Sequence, residues 1–85
     1  PDRSILQIAA LPGKDLCAVL TGAPQFERGR FVYRENRVLL LDEEGKTIDS
    51  ADLPVDLLRR PLLAPGPGYL DVLTPRHRLR IAIGE

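Results

Sequence analysis

The sequence predicts an all-β protein made of two four-stranded antiparallel units. Short runs of Val, Ile and Leu are separated by Pro, Gly and Asn, a pattern typical of strands joined by turns, whereas helix signals are weak. Residues 5–16 also align with residues 47–58. Identical residues fall at Ala9/Ala51, Leu11/Leu53, Pro12/Pro54 and Leu16/Leu58. This self-similarity of roughly forty residues indicates one unit, residues 1–85, made of two repeats at about 4–45 and 46–85.

Each repeat is expected to contribute four strands. In chain order these are 4–11, 16–21, 30–34, 37–42, 46–53, 60–64, 69–74 and 78–83. Pro12-Gly13 predicts a turn, because Pro presets one φ angle and Gly permits a left-handed one. Glu35-Asn36 predicts a two-residue hairpin, since Asn tolerates positive φ, and residues 43–45 predict another. Pro65-Gly66-Pro67-Gly68 excludes a helix or a central strand, and residues 56–60 could form one helical turn before Pro61.

The expected strands differ in polarity. Residues 38–41 are continuously apolar, which predicts that both faces of that strand are covered. Residues 78–83 alternate between arginines and apolar side chains, which predicts one buried and one polar face. Residues 47–52 are the most polar set and are therefore expected to form an outermost strand, where charge discourages edge-to-edge pairing.

A repeat of this length, with four short strands, is typical of one β-propeller blade. Two blades cannot close a ring, because propellers use about 4–8. The other blades must then come from further copies of this chain, from another chain or from a longer parent sequence. The alternative is a single compact eight-stranded barrel or sandwich in which the repetition is coincidental.

The second repeat resembles the quinoprotein-like (PQQ-like) repeats of bacterial β-propellers. The resembling run consists, in order, of Asp52-Leu53-Pro54, Arg60-Pro61-Leu62-Leu63-Ala64, Gly68-Tyr69-Leu70-Asp71-Val72 and Arg78-Leu79-Arg80-Ile81. The first repeat follows the run less closely. The resemblance implies a propeller scaffold, but the chain has no Trp and so lacks the tryptophan docking motif of quinoprotein dehydrogenase blades. We therefore expect no cofactor.

Composition excludes several classes of function. Twelve basic and twelve acidic side chains cancel, so nucleic acid is not an expected partner. No apolar run approaches the roughly 20 residues that span a bilayer, and no membrane association is expected. Cys17 is the only cysteine and His77 the only histidine, so neither a zinc cluster nor a nucleophile–base constellation is predicted. The expected protein is not an enzyme and binds no metal, and nothing in the sequence assigns a compartment.

The arginines are the candidate partner-binding set. The predicted site residues flank two equivalent turns, 34–37 and 76–78, and are Arg34, Arg37, Arg76, His77 and Arg78. In an up-and-down sheet these turns lie on the same side as Lys14 and Arg59-Arg60, which predicts one polar rim. Such a rim suits an acidic peptide, a carboxylate or a phosphate, through forked hydrogen bonds. The alternative is that Arg37 pairs with Glu35 or Asp42 and that the other arginines are solvated.

The leading functional hypothesis is a non-catalytic β-propeller segment that serves as a protein-interaction or self-assembly scaffold, with a protein, a peptide or further copies of itself as partner. One alternative is a small β-barrel that binds nucleic acid through a strand face. The residues proposed for that alternative are Arg30, Arg34, Arg78 and Arg80, with Phe31 or Tyr33 for stacking. The other alternative is a scaffold fragment of a propeller enzyme.

Overall fold

A computed structural model describes residues 3–83 and confirms the all-β prediction. The strands are β1 (Ser4–Ala10), β2 (Cys17–Glu27), β3 (Arg30–Leu41), β4 (Thr47–Asp52), β5 (Leu62–Gly66), β6 (Tyr69–Leu73) and β7 (Arg78–Ala82). They form two antiparallel sheets with simple up-and-down order. Sheet A is β1-β2-β3-β4 and sheet B is β5-β6-β7.

The prediction of a hairpin at Glu35-Asn36 is wrong. Predicted strands 30–34 and 37–42 are one strand, β3, and the hairpin turn lies at Arg28-Gly29, where φ is 51° and 80°. Two consecutive positive φ angles are typical of the type I′ turn, whose twist matches that of the flanking strands. Positive φ does occur at Glu35 (53°), but in a β-bulge in the middle of β3 rather than in a turn.

The bulge turns one polar side chain into the protein interior. Between the pairs Thr21–Arg37 and Ala23–Arg34, β2 contributes Gly22 alone whereas β3 contributes both Glu35 and Asn36. An extra residue of this kind redirects a side chain and bends its strand. Asn36 is 1% exposed, and its amide oxygen lies where a Cβ at Gly22 would be. Only glycine at position 22 leaves room for this amide.

Asn36 holds the connection between the two sheets. Its Nδ2 donates to the backbone oxygens of Tyr33 (2.8 Å) and Val55 (2.9 Å). The backbone of Leu53 donates to the Asn36 carbonyl at 2.9 Å, and Tyr33 and Leu57 exchange a pair of backbone hydrogen bonds. The helical turn considered for residues 56–60 does not form: Leu57 makes an isolated antiparallel bridge with Tyr33, and residues 58–59 form a bend.

The two sheets pack face to face around one hydrophobic core. From sheet A the core contains Leu6, Ala18, Leu20 and Val38, and from sheet B it contains Leu70 and Val72. Leu79 and Ile81, the apolar half of the predicted alternation in β7, pack against these residues. Sheet A and sheet B share no paired strands, so the closed-barrel alternative is wrong. Face-to-face packing of two twisted sheets occurs in sandwiches and between successive propeller blades.

The repeat and the sheet boundary do not coincide. β4, which begins the second repeat, pairs with β3 and forms an edge of sheet A, the outermost position expected for the most polar strand. β1, its counterpart in the first repeat, forms the opposite edge of the same sheet. Sheet B consequently has three strands rather than four. Pro65 lies in β5, an edge strand, where a missing backbone donor is tolerated.

Replacing Asn36 should destabilise the whole fold. The change Asn36→Ala removes the amide donor from the Val55 carbonyl and leaves the Tyr33 carbonyl with only the Leu57 N–H, so we expect a loss of about 1–3 kcal/mol in the free energy of unfolding. Urea titration followed by circular dichroism measures this loss. Glu43→Ala, which shortens an exposed side chain in the β3–β4 turn, is the control and should change stability by less than about 0.5 kcal/mol. Equal losses in the two variants would contradict this account of the linker.

Candidate functional site

Arg34 is held in an ion-pair cluster on the β2–β3 hairpin. Its guanidinium donates to both carboxylate oxygens of Glu27, at 2.7 and 2.8 Å, and to Gln25 at 3.0 Å. A further contact joins it to Asp56 of the linker. The hydrogen bond to Glu27 is the largest cause of a pKa for Arg34 above its ordinary value. Arg34 therefore ties the hairpin to the linker, and its charge is already neutralised within the chain.

Arg37 also has a carboxylate partner, but not a predicted one. Asp52 lies directly opposite Arg37 across the β3–β4 ladder, and the two side chains meet at 2.8 Å. The predicted partners, Glu35 and Asp42, are wrong, because the bulge and the β3–β4 register bring Asp52 to this position. Both members of the pair are exposed, so the pair contributes little to stability.

A third ion pair lies on the face of sheet B turned away from the core. Arg80 and Asp71 are opposite one another on β7 and β6 and form a forked pair at 2.8 and 3.0 Å. The Arg80 guanidinium also stacks on Tyr69, 3.8 Å from the ring centroid, and the Tyr69 ring covers Gly66. The hydrogen bond from Arg80 is the main cause of a pKa for Asp71 below its ordinary value. Arg78, a predicted site residue, is exposed on the same face of β7.

Arg76 and His77 lie in the tight β6–β7 loop. The Thr74 hydroxyl oxygen accepts from the backbone N–H groups of Arg76 and His77, at 3.3 and 2.9 Å, and the Thr74 N–H donates to the His77 carbonyl. The loop backbone is therefore constrained, while both side chains are exposed. This arrangement presents the two side chains from a rigid turn.

Beside this loop lies a cleft with a volume of about 340 Å³. One wall is the β6–β7 loop and the other is the linker between the sheets. The lining residues are Val55, Asp56, Leu57, Leu58, Arg59, Pro61, Thr74, Pro75, Arg76 and His77. Leu57 and Pro61 are buried, whereas Arg59, Arg76 and His77 are exposed at the opening. The cleft therefore combines an apolar interior with cationic groups at its rim.

The predicted arginine rim is thus only partly assembled. Arg76, His77 and Arg59 line one cleft, and Arg34 reaches its edge through Asp56. Arg37 and Arg78 do not line this cleft. Sequence reasoning missed Leu57 and Pro61 as the interior of a site. The one sequence signal for these two residues was an apolar side chain within a polar linker. That signal does not identify a cleft, because the other wall, the β6–β7 loop, comes from a distant part of the sequence.

A second candidate surface is the face of sheet A turned away from sheet B, here called the outer face. Directly paired residues place Ile8, Val19 and Leu39 in one row across three strands, and Ala10, Cys17 and Leu41 in the next. Ile5 and Ile8 are 59% and 57% exposed. The apolar run 38–41 predicted that both faces of its strand are covered. Sheet B covers only the inner face of β3, so the prediction is correct for that face alone.

No family model, curated protein or solved structure matches this chain. Among residues 3–83 there is no group of three or more His, Cys, Asp or Glu side chains arranged to hold a metal ion. Over the same residues, no helix has the length and hydrophobicity needed to cross a membrane.

The Asp71–Arg80 pair predicts a specific pH dependence of stability. The pKa of Asp71 is lower in the folded protein than in the unfolded chain, so the pair stabilises the fold above the unfolded value of about 4. That contribution is lost as the pH falls through the lower, folded value. Asp71→Asn should therefore be less stable than the wild type at pH 7, and the difference should shrink below about pH 4.

Urea midpoints measured between pH 7 and pH 2.5 test this expectation. Asp52→Asn, which removes the exposed partner of Arg37, is the matched control and should show a small, nearly constant difference. A difference between wild type and Asp71→Asn that does not change over this range would contradict the assignment.

Proposed function

We propose that this chain is a non-catalytic, β-propeller-type segment that serves as a self-assembly and protein-interaction scaffold. The observation that carries the proposal is the apolar outer face of sheet A, where Ile5 and Ile8 are 59% and 57% exposed beside Val19, which is itself 6% exposed. Soluble proteins seldom expose contiguous apolar patches, and a patch of this kind is typical of an interaction surface.

The contrast with sheet B strengthens this interpretation. Its outward face carries the Asp71–Arg80 pair and the stacked Tyr69 ring, which find partners within the sheet, beside the exposed side chains of Arg78 and Leu62. An outward face with paired polar groups is compatible with exposure to solvent. On the outer face of sheet A, hydrogen-bonded polar side chains lie in the row that contains Thr21, where Arg3 donates to the Thr21 hydroxyl and Arg37 meets Asp52.

Another copy of this chain is the occupant that fits the outer face best. The inner face of sheet A is covered by sheet B, and this packing supports a second β-sheet as the partner of the outer face. Arg37 and Asp52 neutralise one another, and the chain has a formal net charge of zero, so copies meet without like-charge repulsion. Sheet B, with three strands and β7 at its edge, also leaves room for the fourth strand of a blade.

Binding of nucleic acid has less support. Two of the arginines proposed for it, Arg34 and Arg80, are paired with Glu27 and Asp71. Arg30 and Arg34 also lie on sheet A, whereas Arg78 and Arg80 lie on sheet B, so the four do not share one strand face. For the propeller-enzyme alternative, residues 3–83 supply no group of three or more His, Cys, Asp or Glu side chains that could hold a metal ion.

The solution mass tests the proposal. Light scattering on a size-exclusion column should give a discrete multiple of the 9.4 kDa chain mass. Ile8→Glu places a charge in the outer face at a position already 57% exposed, so the chain should stay folded but become monomeric. Leu58→Glu, at a position 56% exposed in the linker rather than in sheet A, is the matched control and should leave the mass unchanged.

A third variant distinguishes two modes of assembly. Leu62→Glu alters the outward side of sheet B, at a position 64% exposed. If it also gives monomers, sheet A of one copy packs on sheet B of the next, as in a ring. If only Ile8→Glu gives monomers, the copies pack with their A sheets together. A folded wild-type monomer at all concentrations would refute self-assembly.

A further inference from the structure

We propose that the cleft between the inter-sheet linker and the β6–β7 loop is a binding site for an acidic peptide segment. The segment would place an apolar side chain in the cleft and a neighbouring carboxylate at its cationic rim. This site is separate from the outer face of sheet A and does not depend on assembly.

Both walls of the cleft are formed before any ligand binds. The linker wall is fixed to β3 by the Asn36 amide through Val55 and by the paired backbone hydrogen bonds of Leu57 with Tyr33. The loop wall is fixed by the Thr74 hydroxyl oxygen, which accepts from two consecutive backbone N–H groups. A preformed site binds without the entropic cost of ordering its own walls.

The interior of the cleft suits an apolar side chain. Leu57 is 3% exposed and Pro61 is also buried, and Val55 and Pro75 add to the apolar lining. A volume of about 340 Å³ lies at the small end of the range for ligand sites, which is about 300–1,000 Å³. The cleft is therefore large enough for one or two peptide side chains but small for an extended macromolecular surface.

The charge at the rim selects an anionic partner. Arg59 and Arg76 line the cleft, and His77 adds an imidazole beside them. Asp56 is the only carboxylate among the lining residues, and it is already engaged by Arg34. Neither Arg59 nor Arg76 has a carboxylate partner among the ion pairs of residues 3–83. Free arginines beside an apolar cleft favour a carboxylate, which can accept a forked pair of hydrogen bonds.

A peptide uses both properties of the cleft at once. An isolated inorganic anion would contact the rim arginines but leave the apolar interior empty. An uncharged apolar segment would fill the interior but gain nothing from Arg59 and Arg76. A segment in which acidic and apolar residues lie next to one another satisfies both, and its affinity should fall as salt rises.

Nuclear magnetic resonance titration of the isotope-labelled chain tests the site. The probe is a blocked hexapeptide of alternating Leu and Glu, and the matched peptide has Gln in place of Glu. We expect saturable shifts of the backbone amides within residues 55–60 and 74–77 with the acidic peptide, and at least tenfold weaker binding of the Gln peptide. Running the titration also on Ile8→Glu separates failure of this site from failure of assembly.

Variants of the rim complete the test. Arg76→Gln and Arg59→Gln should each weaken binding of the acidic peptide by about tenfold, through loss of a charged hydrogen bond. Arg30→Gln, an exposed arginine at the hairpin tip, is the charge-matched control and should leave the affinity unchanged. Three results would overturn the proposal: equal binding of the Gln peptide, shifts outside the cleft, or inorganic phosphate binding as tightly as the peptide, which would indicate a simple anion site.

Discussion

The buried amide of Asn36 is the interaction on which the arrangement of the two sheets depends. Its side chain bridges β3 to the linker, and the linker leads directly into sheet B. The β-bulge at Glu35 and the absence of a side chain at Gly22 make this geometry possible. The side-chain amide supplements the backbone hydrogen bonds between β3 and the linker because it carries two N–H donors, one for each carbonyl oxygen. The same contact builds one wall of the cleft, so fold and candidate site share a single support.

The distribution of charge gives the molecule two different outward faces. Arg80, Asp71 and Tyr69 make the outward side of sheet B polar and internally paired, whereas the outer face of sheet A is apolar around Val19. A sheet covered on one side normally alternates apolar and polar residues. β2 and β3 depart from that rule, which is the physical basis for proposing that another sheet covers them.

Pairing with carboxylates separates the arginines into two classes. Arg34, Arg37 and Arg80 are neutralised by partners brought close by strand register, so their role is largely structural. Arg59 and Arg76 extend from irregular segments whose backbones are fixed by other contacts, and they line the cleft. Of these five arginines, the two without a carboxylate partner among the ion pairs of residues 3–83 lie where the backbone leaves the ladders, which is where binding residues are most often found.

Local composition was enough to predict the all-β class, the turn around Gly45, the edge position of β4 and the buried half of β7. Each of these follows from short-range propensity or from the two-residue period of a strand. The continuity of β3, the partner of Arg37 and the cleft could not be predicted, because each depends on residues far apart in sequence. Asn36 illustrates the difference: its tolerance of positive φ suggested a turn, but its side chain lies in the interior, where it donates to the distant carbonyl oxygen of Val55 and occupies the space beside Gly22. Only the tertiary structure brings those groups together, since no local preference encodes a hydrogen bond to a segment 19 residues away.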